Sequence, residues 1–550
     1  MTTEMREEVR TSILGGEVAS RGFPIAQSIV WTAGALGSIA ALVIIGGQFG
    51  GIAGLVACAV IAISTLGSTL KLVNDESLAG IGAHRLATWW RRRDGRHVWL
   101  TPGDPELGIA ADPDYGDPDV DPGWTSPPAL GQVEPLDLAG TGLDDLFILW
   151  HHNPGERSYF QIILAVQGLA EGLRSNERWA QNQAAYSESV LNAAARDTVF
   201  TRSLQLVLRV VPADLDPHEQ WVLGKVKQLS PERAAQLVPA IRSYGHLIDD
   251  ARPHSEEPHS YLSIAIPESG RLMKEASRIA SGKNAKSEGG VAQVIRDEAA
   301  RIQRSLQAAG FGRVDVLGEQ RACAVMRAMI NPSFALDRHQ GANWYNWIPT
   351  FFGGRDSVLV RRSTDPDRRE EFWHTRVGVV PSSSIPPVHL GPAWLTPLLS
   401  RVEPDPGDPG DGLPPSPTIR TISVRLDLVP ARIARTATKR HATTDAAKAI
   451  ELEKKGQISD GSEEVMASSS ARRREDLKAG SGYHGVIWSM AIAVTGRDGD
   501  DLDRACARVT AAAGDSAITD IRWCTDDHDI AQFWTLPLGR GLARTKFTRN

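Results

Sequence analysis

Residues 201–213 read TRSLQLVLRVVPA, and residues 419–431 read IRTISVRLDLVPA. Both are strand-like runs closed by Val-Pro-Ala, at Val211-Pro212-Ala213 and Val429-Pro430-Ala431. The segments downstream of each run agree in order as well. After the first run come helical sequence from about Pro217 to Ile248 and a strand at Tyr261 to Ile266. Next is an amphipathic helix carrying Val291, Val294, Ile295, Ile302 and Leu306, then a stop at Gly310, a strand at Val314 to Leu317 and a helix through Met329. After the second run come helical sequence to Lys478, a strand at Val486 to Val494 and a helix with Leu502, Cys506 and Val509. That helix stops near Gly514, before a strand at Ala517 to Trp523 and a short helix through Phe533. A shared order of this length implies duplication, and strands alternating with helices imply packed layers. The expected body is α+β: two related α/β sandwich lobes, residues 136–335 and 418–550, with helices over one sheet face.

The first lobe opens with a hairpin, Leu146 to His152 and Ser158 to Gln167, turned by Asn153-Pro154-Gly155-Glu156, and continues with a helix from about Ser175 to Ala195. Between the lobes, residues 336–417 read as an irregular insert and linker. Trp344, Tyr345, Trp347, Phe351 and Phe352 precede a strand around Phe372 to Val379, and Val402 to Pro417 is rich in Pro, Gly and Asp. Aromatics beside Arg355, Arg361 and Arg362 suit single-stranded nucleic acid by stacking; the same residue types anchor protein cores and interfaces.

Upstream, Gly22 to Leu70 carries no charged side chain. A charge at the bilayer centre costs about 2.5 to 3.5 kcal/mol on insertion scales, so such silence is selected. Ile25 to Ile45 and Ile52 to Leu70 are each long enough, at about 1.5 Å per residue, to cross a hydrocarbon core of about 30 Å. Gly46 to Gly51 supplies the glycines of a reversal. Residues 22–72 therefore read as a two-helix transmembrane hairpin after a short polar lead, residues 1–21. A cleaved signal peptide does not fit a second span that follows at once, and a hairpin buried in a soluble core is the other reading.

The loop is uncharged, whereas Lys71, Arg85, Arg91, Arg92, Arg93 and Arg96 follow the second span. Cytoplasmic flanks are the Lys/Arg-rich ones, so both termini and the body are expected on the cytoplasmic side of the membrane. In the basic segment 73–100, Trp89, Trp90 and Trp99 sit among the arginines, as in a stretch at headgroup level or a first helix packed on the protein. Residues 101–135 form a Pro/Asp-rich linker, whose Asp112, Asp114, Asp117, Asp119 and Asp121 lack the EF-hand register.

A net charge of −6 argues against a protein that coats nucleic acid generally. Cys58, Cys323, Cys506 and Cys524 have no metal spacing and read as reduced thiols. Ser281-Gly282-Lys283-Asn284 lacks the first glycine and the final hydroxyl of a phosphate cradle. Gly480 to Gly485 spells G-x-G-x-x-G, but it lies between a helix and a strand and offers no helix N-terminus to a pyrophosphate. His151 and His152 are adjacent on a strand and point to opposite faces. Cys524, Asp526, Asp527, His528 and Asp529 read as an acidic helix start. Arg472, Arg473 and Arg474 are offset by nearby acids and read as a solvated face. No catalytic residue, cofactor or metal site is expected.

The chain resembles a family of actinobacterial membrane proteins encoded with conjugation, or type IV secretion-like, machinery. The resemblance rests on Thr421-Ile422-Ser423-Val424 to Val429-Pro430-Ala431, the charged helices through Arg474, and Tyr483 onward into Leu536-Pro537-Leu538-Gly539-Arg540-Gly541. That closing string is similar to the end of the N-terminal domain of the conjugation ATPase, just before its motor. The hairpin is similar to the small PrgI-like two-helix subunit. The resemblance implies a non-catalytic scaffold that docks a separate ATPase and other channel subunits, homo-oligomeric within its complex. A type VII secretion core subunit, or a membrane-bound enzyme with an unrecognised site, are the alternatives.

Overall fold

The computed structural model describes residues 12–16, 24–69, 71–73, 76–101, 126–154, 157–167, 176–280, 287–334, 336, 341–362, 371–386, 394–406, 416–436, 438–439, 443, 468 and 471–541. The acidic run 112–121, the stretch 281–284 and most of the expected helical sequence from 432 to 470 lie outside them. The chain divides into two units, Val18–His97 on one hand and Met1–Glu17 with Val98–Asn550 on the other. The first described segment, β1 (Ser12–Gly16), belongs to the larger unit, so part of the expected polar lead is a strand.

In the smaller unit α1 (Pro24–Phe49) and α2 (Gly51–Thr69) form a hairpin, followed by β2 (Lys71–Val73), β3 (Glu76–Ser77) and α3 (Leu78–Arg93). The expected loop contracts to Gly50, whose φ of +94° is one that side chains seldom adopt. Small residues let the two backbones approach: a Cβ on Gly54 would lie 2.8 Å from the Gly46 Cα. Apolar side chains point away from this contact, and Leu36, Ile39, Val43, Ile52, Leu55, Val60 and Ile63 are exposed. A core helix of a soluble protein would bury them; in each apolar window, Val30–Phe49 and Gly51–Ser68, only 6% is buried. Both helices are long and apolar enough to cross a membrane.

Among the described residues the larger unit is built on one 14-stranded sheet. Its elements are β4 (Val98–Trp99), β5 (Val133–Pro135), β6 (Leu149–His151), β7 (Tyr159–Val166), α4 (Asn176–Tyr186) running into a π turn (Ser187–Asn192), and β8 (Ser203–Pro212). Then come α5 (Asp216–Lys227), α6 (Pro231–Ala251), β9 (Glu256–Pro267), α7 (Gly270–Ile279), α8 (Ser287–Ala308), β10 (Val314–Val316) and α9 (Glu319–Ile330). The second part has β11 (Phe351–Gly353), β12 (Val358–Arg361), β13 (Phe372–Val380), α10 (Thr396–Ser400), β14 (Ile419–Val429), β15 (Gly485–Gly496), α11 (Gly499–Asp515), β16 (Arg522–Trp523) and α12 (His528–Gln532).

The two expected lobes form one open sheet, in which the strand order repeats on either side of the centre and reaches further upstream than the two quoted runs. From the centre outward one side runs β8, β9, β7, β6, β5, and the other β14, β15, β13, β12, β11. β10 pairs β7, and β16 pairs β13. The two quoted runs, β8 and β14, pair with each other antiparallel. Gln205 faces Arg425, Leu206 faces Val424 and Val207 faces Ser423. Superposing the Val-Pro-Ala ends places 205 on 423 and 207 on 425, so exchanging the halves maps each pair onto another. A local two-fold axis therefore passes between Leu206 and Val424. The aromatic stretch expected as an insert supplies β11, the second copy's counterpart of β5, and the two copies share one sheet.

On one sheet face, α8 and the π turn cover Ile162, Leu164, Leu204 and Ile264, and α10 and α11 cover Ile422, Met490, Ile492 and Val494. On the other face α9, the aromatic stretch and the end of the described chain cover Ile163, Val207 and Tyr261. Both faces are thus covered, which explains why β15 reads as a nearly unbroken apolar run with every residue but one buried.

Candidate functional site

Under the closing segment the sheet departs from its apolar pattern. Gln161, Ser203, Gln205, Ser263, Arg209, Thr421, Ser423 and Asp427 are all buried polar residues of the central strands. All have odd numbers, so register places them on one face, the face that the chain crosses after α12. Buried polar groups need partners, and an extended segment lying over a sheet has carbonyls that no ladder pairs. Each supplies what the other lacks.

Gln205 Nε2 donates to the Trp534 carbonyl (2.8 Å) and to Ser423 Oγ (2.8 Å), and Ser423 Oγ donates to the same carbonyl (2.9 Å). Gln161 Nε2 donates to the Pro537 carbonyl at 2.7 Å, and Tyr159 Oη to that of Leu538 at 3.1 Å. The Gly539 N–H donates to Gln205 Oε1 at 2.7 Å. Leu536 and Leu538 are buried between these bonds. Gly539 has φ of +64°, which favours glycine, and a Cβ on Gly541 would lie 2.7 Å from Arg425 Cδ, so the Arg425 side chain would have to shift. The string Leu536 to Gly541 is thus a strap. It leaves the second half of the sheet and is fastened to β7 and β8 of the first.

Charge collects at its end. Arg425 pairs with Asp427 (3.0 Å) and donates to Ser203 Oγ (3.2 Å). His151, fully buried, stacks on the Tyr159 ring at 4.3 Å. Burial first, then the Arg540 guanidinium, push its pKa well below the ordinary 6.5, so the ring is neutral. His152 instead stacks on Trp150 at 4.2 Å.

The aromatic residues, for which both packing in a core or interface and stacking on nucleic acid were open, lie mostly inside. Trp344 and Trp347 are buried, with ring centroids 5.6 Å apart, and Trp347 meets Phe533 edge-on at 6.4 Å. Tyr345 is half-buried against the same core. Arg361 is buried with its guanidinium over Phe352 and Phe372, Arg362 lies over Trp373, and Arg355 is exposed at the β11–β12 turn. Rings that form a core offer no face to a base, so no stacking platform is assembled from Trp344 and Trp347.

In the smaller unit, Arg91, Arg92 and Arg93 close α3. Trp89 and Trp90 are exposed with Arg93 over both rings, and Arg85 and Arg96 are exposed as well. Lys71 lies on β2. Trp99 departs from the expected headgroup cluster: it pairs with Phe351 at the sheet edge of the larger unit.

The ligand-like cluster after β16 is a packing device. His528 is fully buried and its Nδ1 accepts the Val377 N–H at 3.1 Å, fixing α12 to β13. Gly480 and Gly482, with positive φ, form a turn that leads into β15. A cavity of about 200 Å³ near Ile419, Thr495 and Trp373 has its charges paired internally, Arg497 with Asp501 (3.7 Å) and Arg508 with Asp405 (3.6 Å). Among the described residues no group of three or more His, Cys, Asp or Glu side chains converges to hold a metal ion.

The polar residues that seat the strap escaped the sequence reading. Their signal was Gln and Ser at alternate positions of otherwise aliphatic strands, as in Leu204-Gln205-Leu206 and Ile422-Ser423-Val424. Comparison with known proteins finds no family model and no curated protein that matches the chain.

Proposed function

We propose that the chain is a non-catalytic, membrane-tethered scaffold of a conjugation or type IV secretion-like translocation apparatus, which docks a separate ATPase. The observation that carries the reading is the strap. The string Leu536 to Gly541, which resembles the segment leading into the motor of the conjugation ATPase, is fastened by side-chain amides across the sheet. A point where a motor would be joined is thereby held rigidly on the body. Two apolar helices with outward-facing aliphatic side chains supply the tether. The exposed Trp89 and Trp90 beside Arg85, Arg93 and Arg96 suit an interface with anionic headgroups on the cytoplasmic side of the inner membrane.

Mild-detergent recovery of the tagged protein from its native membranes, with mass spectrometry of what accompanies it, tests the reading. A conjugation-type ATPase and channel subunits are expected. Type VII components would transfer the same architecture to that apparatus, and a protein recovered alone after crosslinking would overturn the scaffold role. The tether is checked separately: Leu42→Arg is expected to release the chain from the membrane fraction.

A further inference from the structure

Between β8 and β9 the chain leaves the sheet as a two-helix arm, α5 and α6. The helices run antiparallel, held at their base by the Arg252–Glu219 ion pair (2.7 Å) and the His218–Tyr244 contact. Beyond that base the arm has almost no core. Ile248 is its one buried residue among the described side chains, and every described side chain from 231 to 240 is exposed. Yet its surface is not that of a solvated arm: Trp221 is 59% exposed, Leu237 41%, Val238 48% and Leu247 63%. Short helices in water are marginal without a packed face, so an arm of this composition is incomplete alone.

The charges indicate what completes it. At the tip the exposed Lys225, Lys227 and Arg233 outnumber Glu232, and the tip is positive. At the base the exposed Asp249 and Asp250 leave the arm negative, since Glu219 is matched by Arg252. An arm basic at one end and acidic at the other is complementary to itself when turned end for end. That is the condition for an isologous two-fold contact, in which each surface meets its own copy. Leu237 and Leu247 lie about 80° apart around α6, so a two-fold axis crossing that face at the level of residue 242 brings each against the other's counterpart.

We infer that the arm docks on the same arm of a second copy of this chain, antiparallel, closing a four-helix bundle in which Trp221, Leu237 and Leu247 are covered and the basic tip of each arm meets the acidic base of the other. The inference does not rest on the function proposed above.

The test uses the full chain in detergent micelles. Light- and heavy-isotope copies are mixed and treated with a zero-length carbodiimide, which joins lysine to carboxylate only in direct contact. Light–heavy links from Lys225 or Lys227 to Asp249 or Asp250 are expected, with a dimer by light scattering. Trp221→Ser with Leu237→Asp, both at exposed positions, should weaken dimerisation at least tenfold and leave the melting temperature of the sheet unchanged. A monomer at the same concentrations would overturn the inference. So would a dimer that lacks these links and survives the double substitution, or an arm that binds anionic vesicles in place of its copy.

Discussion

The two halves of the sheet have the same strand order, yet the chain treats their edges differently. In the second half β13 stops pairing at Met490, and the vacated edge of β15, Gly485–Trp488, is taken by β1 running parallel. In the first half β7 stops pairing at Tyr261 in the same way, and the register sets Pro258 of β9 where Val486 stands in β15. The Ala213 N–H bonds the Ser255 carbonyl, so the alternation turns position 258 outward, where proline has no N–H to offer. One copy accepts a strand and the other refuses it. A second difference is internal: register sets His151 of the first half against Val358 of the second, both buried. A third is the strap, which belongs to the second half and is seated on the first. The repeated strand order supplies the architecture, and the departures from symmetry mark where one half is fastened to the other.

The largest expected effect comes from removing the strap. Truncation after Thr535 exposes the seats of Leu536 and Leu538 and orphans the Gln161 and Gln205 amides. A loss on the order of 5 kcal/mol is expected in urea unfolding of the full chain followed by tryptophan fluorescence. An unchanged midpoint would remove the strap from the account. Next, Gln205 and Ser423 occupy equivalent positions and bond the same carbonyl, but Gln205 also holds the Gly539 N–H. Gln205→Ala should cost roughly 3 kcal/mol and Ser423→Ala about 1 kcal/mol; equal costs would mean that the asymmetry carries no energy.

A smaller effect separates the halves by pH. His151 is held neutral in the fold, whereas in the unfolded chain it takes a proton below about 6.5. The unfolded state therefore binds more protons between that value and the depressed folded one. Stability contributed by this site is constant above about 6.5 and falls as the pH drops below it. Comparing wild type with His151→Val between pH 7 and pH 5, the variant should show the shallower decline; parallel profiles would exclude the site. The smallest effect is at the blunted edge. Pro258→Val should change stability by under about 0.5 kcal/mol, because that position makes no ladder bond to lose.

Much of this architecture was legible from the chain. Val-Pro-Ala at 211–213 and 429–431, with helices and strands in one order behind each, announced the repeated strand order. The absence of charge from Gly22 to Leu70 announced the apolar pair. The joining of the two halves was not legible, because β8 and β14 alternate aliphatic and polar residues and that pattern does not say which strand lies alongside. Trp344 and Trp347 left two readings open for a related reason: arginine beside aromatics is equally the composition of a core lined by cation–π pairs, as at Arg361. Leu536 to Gly541 drew notice by resemblance, whereas its receptors Gln161 and Gln205 lie far away in sequence and show their role only when the sheet brings them together.

The central claim is that the two copies form one cooperative sheet, paired at β8–β14 and tied by the strap. Hydrogen–deuterium exchange of the full chain across a urea series, read by mass spectrometry on peptides from β7–β9 and from β13–β15, addresses it directly. The account predicts that both sets lose protection at one shared midpoint. Two separated midpoints, with one half protected while the other exchanges freely, would contradict it.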